Sequence, residues 1–447
     1  MLLLPLFFIW YRISFNTGGG SSSGGGGGGG GWGPMATADP ASAISPSTML
    51  HMLNGAVTAS GAGFRLPGIQ AWGGSVIRGS EGDSRYHLFV SCWEERLGHN
   101  AWVTSSTVMH AVSYDGPEGP WHVQGEALPR RGRAYWDGMA THNPTVHWNP
   151  LRREWLLFYI GTSYAFDPPS NEPFTNRTLY EMAWNSKRVG VATAASLDGP
   201  WRRLDRPLLE PRPGAWDGGI TSNPSAVVFP NGSVLLVYKS ISLAYPERSV
   251  AVPPPVFHLG AAFAPDALGP YKRVQEGPIL TFDGKPVAAE DPFVWRCEAT
   301  GRLHLLFKSM QTMRDTAKEE RPIIVPGGWL AYTYTAPGGD FATWARPHVA
   351  FNRTLTVFKR GRRGRGRKHF ASQSASSYSA PAISRALLDA HGQRSGERSQ
   401  WLLKVDRLER PQVLFSVEHS RPTHCFAAMM LNGSAANVVL HLPQLAN

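Results

Sequence analysis

Hydrophobic positions gather in short runs that read as strands, each bounded by Gly, Pro, Asn or Asp. Examples are 155–159 (WLLFY), 234–238 (VLLVY) and 303–307 (LHLLF), with small-residue strands at 189–196 (VGVATAAS) and 259–264 (LGAAFA). Two markers recur along these runs. The first is a turn: Gly119-Pro120-Trp121, Gly199-Pro200-Trp201 and Gly269-Pro270-Tyr271 follow at intervals of 80 and 70, with a looser copy, Gly338-Gly339-Asp340-Phe341, about 70 residues on. The second is a polar residue before proline at the head of an apolar strand: Asn143-Pro144, Asn223-Pro224, Asp291-Pro292 and Arg410-Pro411. Asn143 and Asn223 are 80 apart, matching the turn interval, while the gap of 119 from Asp291 to Arg410 holds an Arg-rich insertion. A weaker unit at 72–76 (WGGSV) and 86–90 (YHLFV) completes five units of about 70 residues.

Each unit has strands enough for one four-stranded sheet, and such a sheet cannot bury both faces alone. Stacked radially, the units predict an all-β chain, a five-bladed β-propeller of four-stranded antiparallel blades over 60–445. Two separate sandwiches would leave the period unexplained. The 447 residues, with 48 Gly, 36 Pro and 16 Trp, suit many short strands and turns.

Proline lacks an amide donor and holds the residue before it extended, which suits the start of a strand. In a propeller, innermost strands start at the mouth of the central channel, so the pre-proline side chains should converge there. The converging set is His142 and Asn143, Ser222 and Asn223, Glu290 and Asp291, Glu409 and Arg410, with Gly73 or Gly74 from the first blade. Glu290, Asp291 and Glu409 supply the acidic groups that glycosidic cleavage needs, one to protonate the leaving oxygen and one to act as base or nucleophile. Crowding raises carboxylate pKa values, and Arg410 would keep a neighbour ionised. Lys239 and Lys308, ending second strands, would reach substrate hydroxyls or a uronate, or else lie along the surface as solvated lysines.

The formal charge of +11 would suggest nucleic acid, but seven positive charges sit in one run, 359–368 (KRGRRGRGRK), leaving +4 elsewhere. That run, within a Gly/Arg/Ser-rich insertion at 355–398, reads as a solvated loop, with acidic glycans or phosphates as the alternative contact. Few aromatics accompany the arginines, so no nucleic-acid partner is expected. The three cysteines (Cys92, Cys297, Cys425) cannot all pair and have no metal-ligand spacing, so buried thiols are expected. No cofactor or metal site is expected beyond a structural Ca²⁺ or Na⁺ in the channel. An apolar leader (1–17) reads as a signal peptide or anchor, and a Gly/Ser-rich linker (18–33) follows it. Four sequons, at Asn176, Asn231, Asn352 and Asn432, point with the leader to a glycoprotein that is secreted or held in the secretory lumen. Membrane contact would come only through that leader, and the chain is expected to be a monomer.

The chain resembles the five-bladed propeller glycoside hydrolases, the clan around families 43, 32, 62 and 117. The resemblance covers roughly 60–445. It is carried by the Asn/Asp-Pro strand starts, by Ser-x-Asp-Gly-Pro-Trp at 196–201, by Glu290-Asp291-Pro292-Phe293-Val294-Trp295, and by 409–415 (ERPQVLF) with Pro422-Thr423-His424 after it. It implies an inverting O-glycosyl hydrolase in which a first-blade aspartate is the base, a second tunes pKa and a glutamate is the acid. Some relatives use a histidine as acid, a role that His142 or His424 could fill. The chain departs from that pattern: Trp72, glycines and Ser75 fill the first-blade position, and Asn143 and Asn223 replace aspartates. Three readings follow: a glycosidase acting with Glu290, Asp291 and Glu409; a carbohydrate-binding propeller without the first-blade base; or a protein-interaction propeller.

Overall fold

A computed structural model describes residues 44–59, 62–80, 82–165, 176–242, 256–310, 330–341, 343–351, 354–358, 394–395, 400–416 and 421–443. The predicted leader, linker, arginine run and Asn352 sequon lie outside them.

Five sheets form a five-bladed propeller, each antiparallel through its four blade strands. From the axis outward, blade 1 runs Ile69–Arg78, Tyr86–Glu94, Thr107–Ser113 and His122–Leu128. Blade 2 runs Ala140–Asn149, Glu154–Thr162, Arg188–Ala194 and Arg202–Arg203. Blade 3 runs Ser222–Val228, Val234–Ser240, His258–Ala264 and Lys272–Arg273. Blade 4 runs Ala289–Arg296, Leu303–Ser309, Leu330–Tyr334 and His348–Phe351. Blade 5 begins with Arg407–Phe415, Pro422–Leu431 and Ser434–His441 and takes its fourth strand, Val57–Ala59, from near the start of the chain. This closes the ring with non-contiguous pieces and starts the propeller before residue 60. The sheet continues outward through Thr354–Phe358, Gln400–Lys404 and Arg394–Ser395, so the edges of the predicted insertion are strands of this blade.

The apolar runs follow from burial on both faces. In Val234–Ser240 of blade 3, Val234, Leu236 and Tyr238 pack toward blade 2, while Leu235 and Val237 pack toward blade 4. In blade 2, Leu156 and Phe158 face blade 3, and Trp155, Leu157 and Tyr159 face blade 1. Side chains alternate at period two, and a sheet wedged between two others needs both sets apolar. A core fills each of the five seams. Cys92 and Cys425 are buried in these cores, Cys297 is half-buried, and all three are free thiols.

A further repeat, not read from the sequence, ties each of two blades to the segment that leads into it with buried charge. Trp136-Asp137-Gly138 and Trp216-Asp217-Gly218 stand 80 residues apart. Asp137 accepts from Tyr159 Oη (2.5 Å) and Arg131 Nε (2.7 Å). Asp217 accepts from Tyr238 Oη (2.9 Å), Arg212 Nε (2.9 Å) and Arg273 Nε (2.5 Å). Both carboxylates are fully buried, which is tolerable because each is paired and hydrogen-bonded. The Gly-Pro turns at 119–120, 199–200 and 269–270 join third to fourth strands through cis peptides.

Asp217→Ala should cost about 3 kcal/mol, because it removes the buried carboxylate that Tyr238 and two partly buried guanidinium groups share. Urea unfolding monitored by tryptophan fluorescence would measure it; a loss below about 0.5 kcal/mol would remove this network from the account of stability.

Candidate functional site in the central channel

Every innermost strand carries the same irregularity near its start. Register with the second strand shifts between Trp72 and Ser75, His142 and Thr145, Ser222 and Ser225, Glu290 and Phe293, and Glu409 and Gln412. At each bulge one residue has a left-handed backbone: Gly73 (φ 61°), Asn143 (51°), Asn223 (49°), Asp291 (56°) and Arg410 (53°). Four of them precede proline, so the extended conformation expected there is not the one adopted. The bulge overrides the local preference, and bulges commonly re-aim side chains at functional sites. The prolines also sit inside their strands rather than at the first residue, tolerated because the innermost strand is an edge with no further strand to accept from.

Two rings of side chains result, Trp72, His142, Ser222, Glu290 and Glu409, and after them Gly73, Asn143, Asn223, Asp291 and Arg410. The bulges are tied between blades: Ser75 Oγ accepts from Val146 N (3.0 Å), Ser225 Oγ from Val294 N (2.9 Å), and Gln412 Oε1 from Val76 N (2.8 Å). A Cβ on Gly73 would lie 2.6 Å from Asn143 Oδ1 and 3.4 Å from Arg410 Cγ, which shows how closely blades 1, 2 and 5 meet.

Nearly all the predicted site residues meet here. Lys239 Nζ donates to Glu290 Oε2 (2.9 Å), and Lys308 Nζ donates to Glu290 Oε1 (2.7 Å) and Glu409 Oε1 (2.7 Å). Both lysines are buried ion-pair partners, not solvated surface groups. Asn223 Nδ2 donates to Asp291 Oδ1, Ser222 Oγ donates to Asn223 Oδ1 (2.7 Å), and Arg410 Nη1 stands 3.9 Å from Asp291 Oδ1. His142 Nδ1 meets Ser106 Oγ at 3.0 Å. His424 is not part of the cluster: it pairs with Leu414 toward the far end of the blade 5 inner strand.

The charges separate the carboxylates. Burial would raise the Glu290 carboxyl, but the attraction of Lys239 and Lys308 outweighs it and holds the group well below the usual range, ionised. Asp291 moves the opposite way, to about 6, through burial and the repulsion of Glu290 and Glu409, against the pull of Arg410. Lys308 loses some basicity to burial but gains more from Glu290 and Glu409, so it stays charged. The cation that keeps a carboxylate ionised is therefore chiefly lysine, not Arg410 as the sequence suggests. Burial, with Arg410 adding to it, keeps His142 neutral.

Several residues around the cluster stand outside the repeat that marks the rest. Trp93 and Trp102 lie tilted against His142, with ring centroids 5.8 and 4.6 Å away, and His99 lies 4.9 Å from Trp72. Lys187 is fully buried, its Nζ 3.4 Å above the Trp184 ring and making no hydrogen bond among the described residues. Apart from Trp93, which ends the second strand of blade 1, these groups come from segments joining second to third strands, which share no period. An indole next to the end of a strand was the one available clue.

One oxygen from each of Glu290, Asp291 and Glu409 lies within 4.8 Å of the others, a set that could hold a cation. Two ammonium groups already occupy two of the three carboxylates.

No protein-family model and no curated sequence matches the chain. Solved structures do. BT0996, solved in an RGII complex, is 10% identical over 91% of this chain and 97% of its own, with a TM-score of 0.53, and a further glycoside hydrolase gives the same values. An endo-arabinase from Bacteroides thetaiotaomicron is 12% identical over 88% of this chain and 98% of its own (TM-score 0.47). Zg3597, a family 117 glycoside hydrolase of the marine bacterium Zobellia galactanivorans, is 18% identical over 65% and 73% (TM-score 0.42). What the chain shares with BT0996 and that further glycoside hydrolase is a fold, the five-bladed propeller.

Gly73→Ala should destabilise the protein by about 1–3 kcal/mol, since it forces a Cβ into a left-handed position against Asn143. Thermal and urea unfolding would check this; an unchanged midpoint would mean the blade 1 bulge is not pinned by its neighbours.

Proposed function

We propose that the chain is a glycoside hydrolase that binds a saccharide in the central channel and cleaves it between two carboxyl groups. The observation that carries the reading is the split within the cluster: Asp291 is held largely protonated up to about pH 6 beside a Glu290 that lysines keep ionised. Adjacent carboxyl groups pushed to opposite protonation states are the usual mark of an acid and its partner. Asp291 is the proton donor to the leaving oxygen. Glu409 is the second carboxylate, with one of its oxygens within 4.8 Å of one of Asp291. Glu290 is a positioning residue that fixes Lys239 and Lys308. Arg410 Nη1 and Asn143 Oδ1, which make no hydrogen bond among the described residues, offer a donor and an acceptor to sugar hydroxyls. Trp102, half-buried beside His142, offers a face for stacking. The glycoside hydrolase that shares the fold over 91% of the chain agrees with a saccharide ligand. The three described sequons, Asn176, Asn231 and Asn432, are exposed, which supports a glycosylated, secretory-pathway protein; no helix among the described residues is long and apolar enough to cross a membrane.

A second reading has its own support. Gly73 occupies the first-blade position where a base would stand, and Glu290 is tied by two lysines. Both features suit a propeller that binds saccharide without cleaving it.

The test is release of reducing sugar across a polysaccharide panel. Wild type should be active, with turnover falling as pH rises above about 6, because the donor must carry its proton. Asp291→Asn and Glu409→Gln should each lower kcat by about a hundredfold or more with binding retained. Glycan binding without release favours the second reading; no binding at all removes both.

A further inference from the structure

His424, which the central channel does not use, belongs to another cluster. It pairs directly with His441 across adjacent antiparallel strands of blade 5, so both imidazoles share a sheet face, with ring centroids 4.9 Å apart. Glu118, from the turn between the third and fourth strands of blade 1, reaches the same place: its Oε1 lies 3.2 Å from His441 Nε2. One ligand atom from each of the three lies within 4.8 Å of the others. All three residues are half-buried, so an ion could reach them from solvent.

We propose that Glu118, His424 and His441 form a binding site for a divalent ion of the zinc class at the seam between blades 5 and 1. Two imidazole nitrogens and one carboxylate oxygen suit Zn²⁺ better than Ca²⁺ or Mg²⁺, which prefer all-oxygen sets. Zinc bonds of about 2.0–2.1 Å place tetrahedral ligands roughly 3.3 Å apart, within small side-chain adjustments of the spacing here, and three protein ligands leave the fourth position to water. His424 Nδ1 lies 3.0 Å from Thr423 Oγ1, a contact of the kind that fixes the ring of a ligating histidine. The other two-histidine cluster is less suited. There His87 and His110 meet Asp198, but Arg85 already pairs with Asp198 (2.7 Å) and Asp83 (2.8 Å), putting a guanidinium where a cation would come.

The site's position gives it a consequence. Its ligands come from the last and first blades, and His441 is itself the partner of Val57 in the strand that closes the ring. The Glu118 carbonyl also accepts from Gly63 N (3.2 Å), just past that strand. A bound ion therefore fastens the closure from both sides. An ion held only by the folded ring raises its stability by mass action.

The test uses the full chain with any affinity tag removed and Zn²⁺ alone as the probe. After equilibrium dialysis at low micromolar Zn²⁺, metal analysis should find one equivalent per chain, and the unfolding midpoint should rise with zinc. Co²⁺ in its place should give the visible absorption of a four-coordinate ion. H424Q and H441Q should each weaken binding at least about tenfold and abolish the midpoint shift. Should either variant fail to fold, E118Q, in a surface turn, gives the same reading. The proposal is overturned if folded wild type retains no zinc, or if E118Q and H424Q retain it unchanged. It is equally overturned if zinc is lost in D291N instead, which would place the ion among the channel carboxylates.

Discussion

Everything in this molecule depends on the need of each four-stranded sheet to bury both faces. Strands such as 234–238 are apolar at every position because Leu236 and Tyr238 answer one neighbour while Leu235 and Val237 answer the other. A row of such sheets would end in two exposed apolar faces. Bending the row into a ring removes both ends, and Val57–Ala59 completes the last blade by pairing with the strand that ends at His441. Ring closure is thus a hydrophobic requirement met by a short piece of hydrogen-bonded strand.

Closing the ring places five innermost strands around one axis, and the bulge in each turns its side chains inward. The left-handed backbone at Asn143, Asn223, Asp291 and Arg410 is costly beside proline and persists because neighbouring blades hold it, through Ser75, Ser225 and Gln412. The channel then gathers charges that would be intolerable singly. Lys308 bridges Glu290 and Glu409, and Lys239 completes the pairing of Glu290, so that Asp291 is left as the carboxyl with the least cationic support. Burial supplies the penalty, and the uneven sharing of lysines decides which carboxyl bears it.

The parts of this arrangement that repeat were legible in the sequence. The Gly-Pro turns and pre-proline positions gave five blades and brought His142, Asn143, Asn223, Glu290, Asp291, Glu409 and Arg410 to one place. The conformation at those positions was not legible, because the preference imposed by proline is local and the bulge is set by the neighbouring blade. The strand Val57–Ala59 carries no marker, and its place follows only from closure. The pairing of Lys239 and Lys308 with Glu290 required distances. Trp102 and Lys187 lie on connections of unequal length, where no period could align them. The Trp-Asp-Gly repeat at 136–138 and 216–218 was readable and was missed, since its asparagine-proline neighbours six residues on were the more obvious marker.

The central claim is that the channel mouth bearing Asp291 and Glu409 receives a saccharide. A crystal structure with an oligosaccharide drawn from a polysaccharide that the protein cleaves or binds tests it most directly. The account predicts a sugar ring at that mouth, with its glycosidic oxygen or a hydroxyl within hydrogen-bonding reach of Asp291, and with Glu409 and Arg410 beside it. A saccharide bound at the opposite mouth, or on the outer faces of the blades with these three residues untouched, would contradict it.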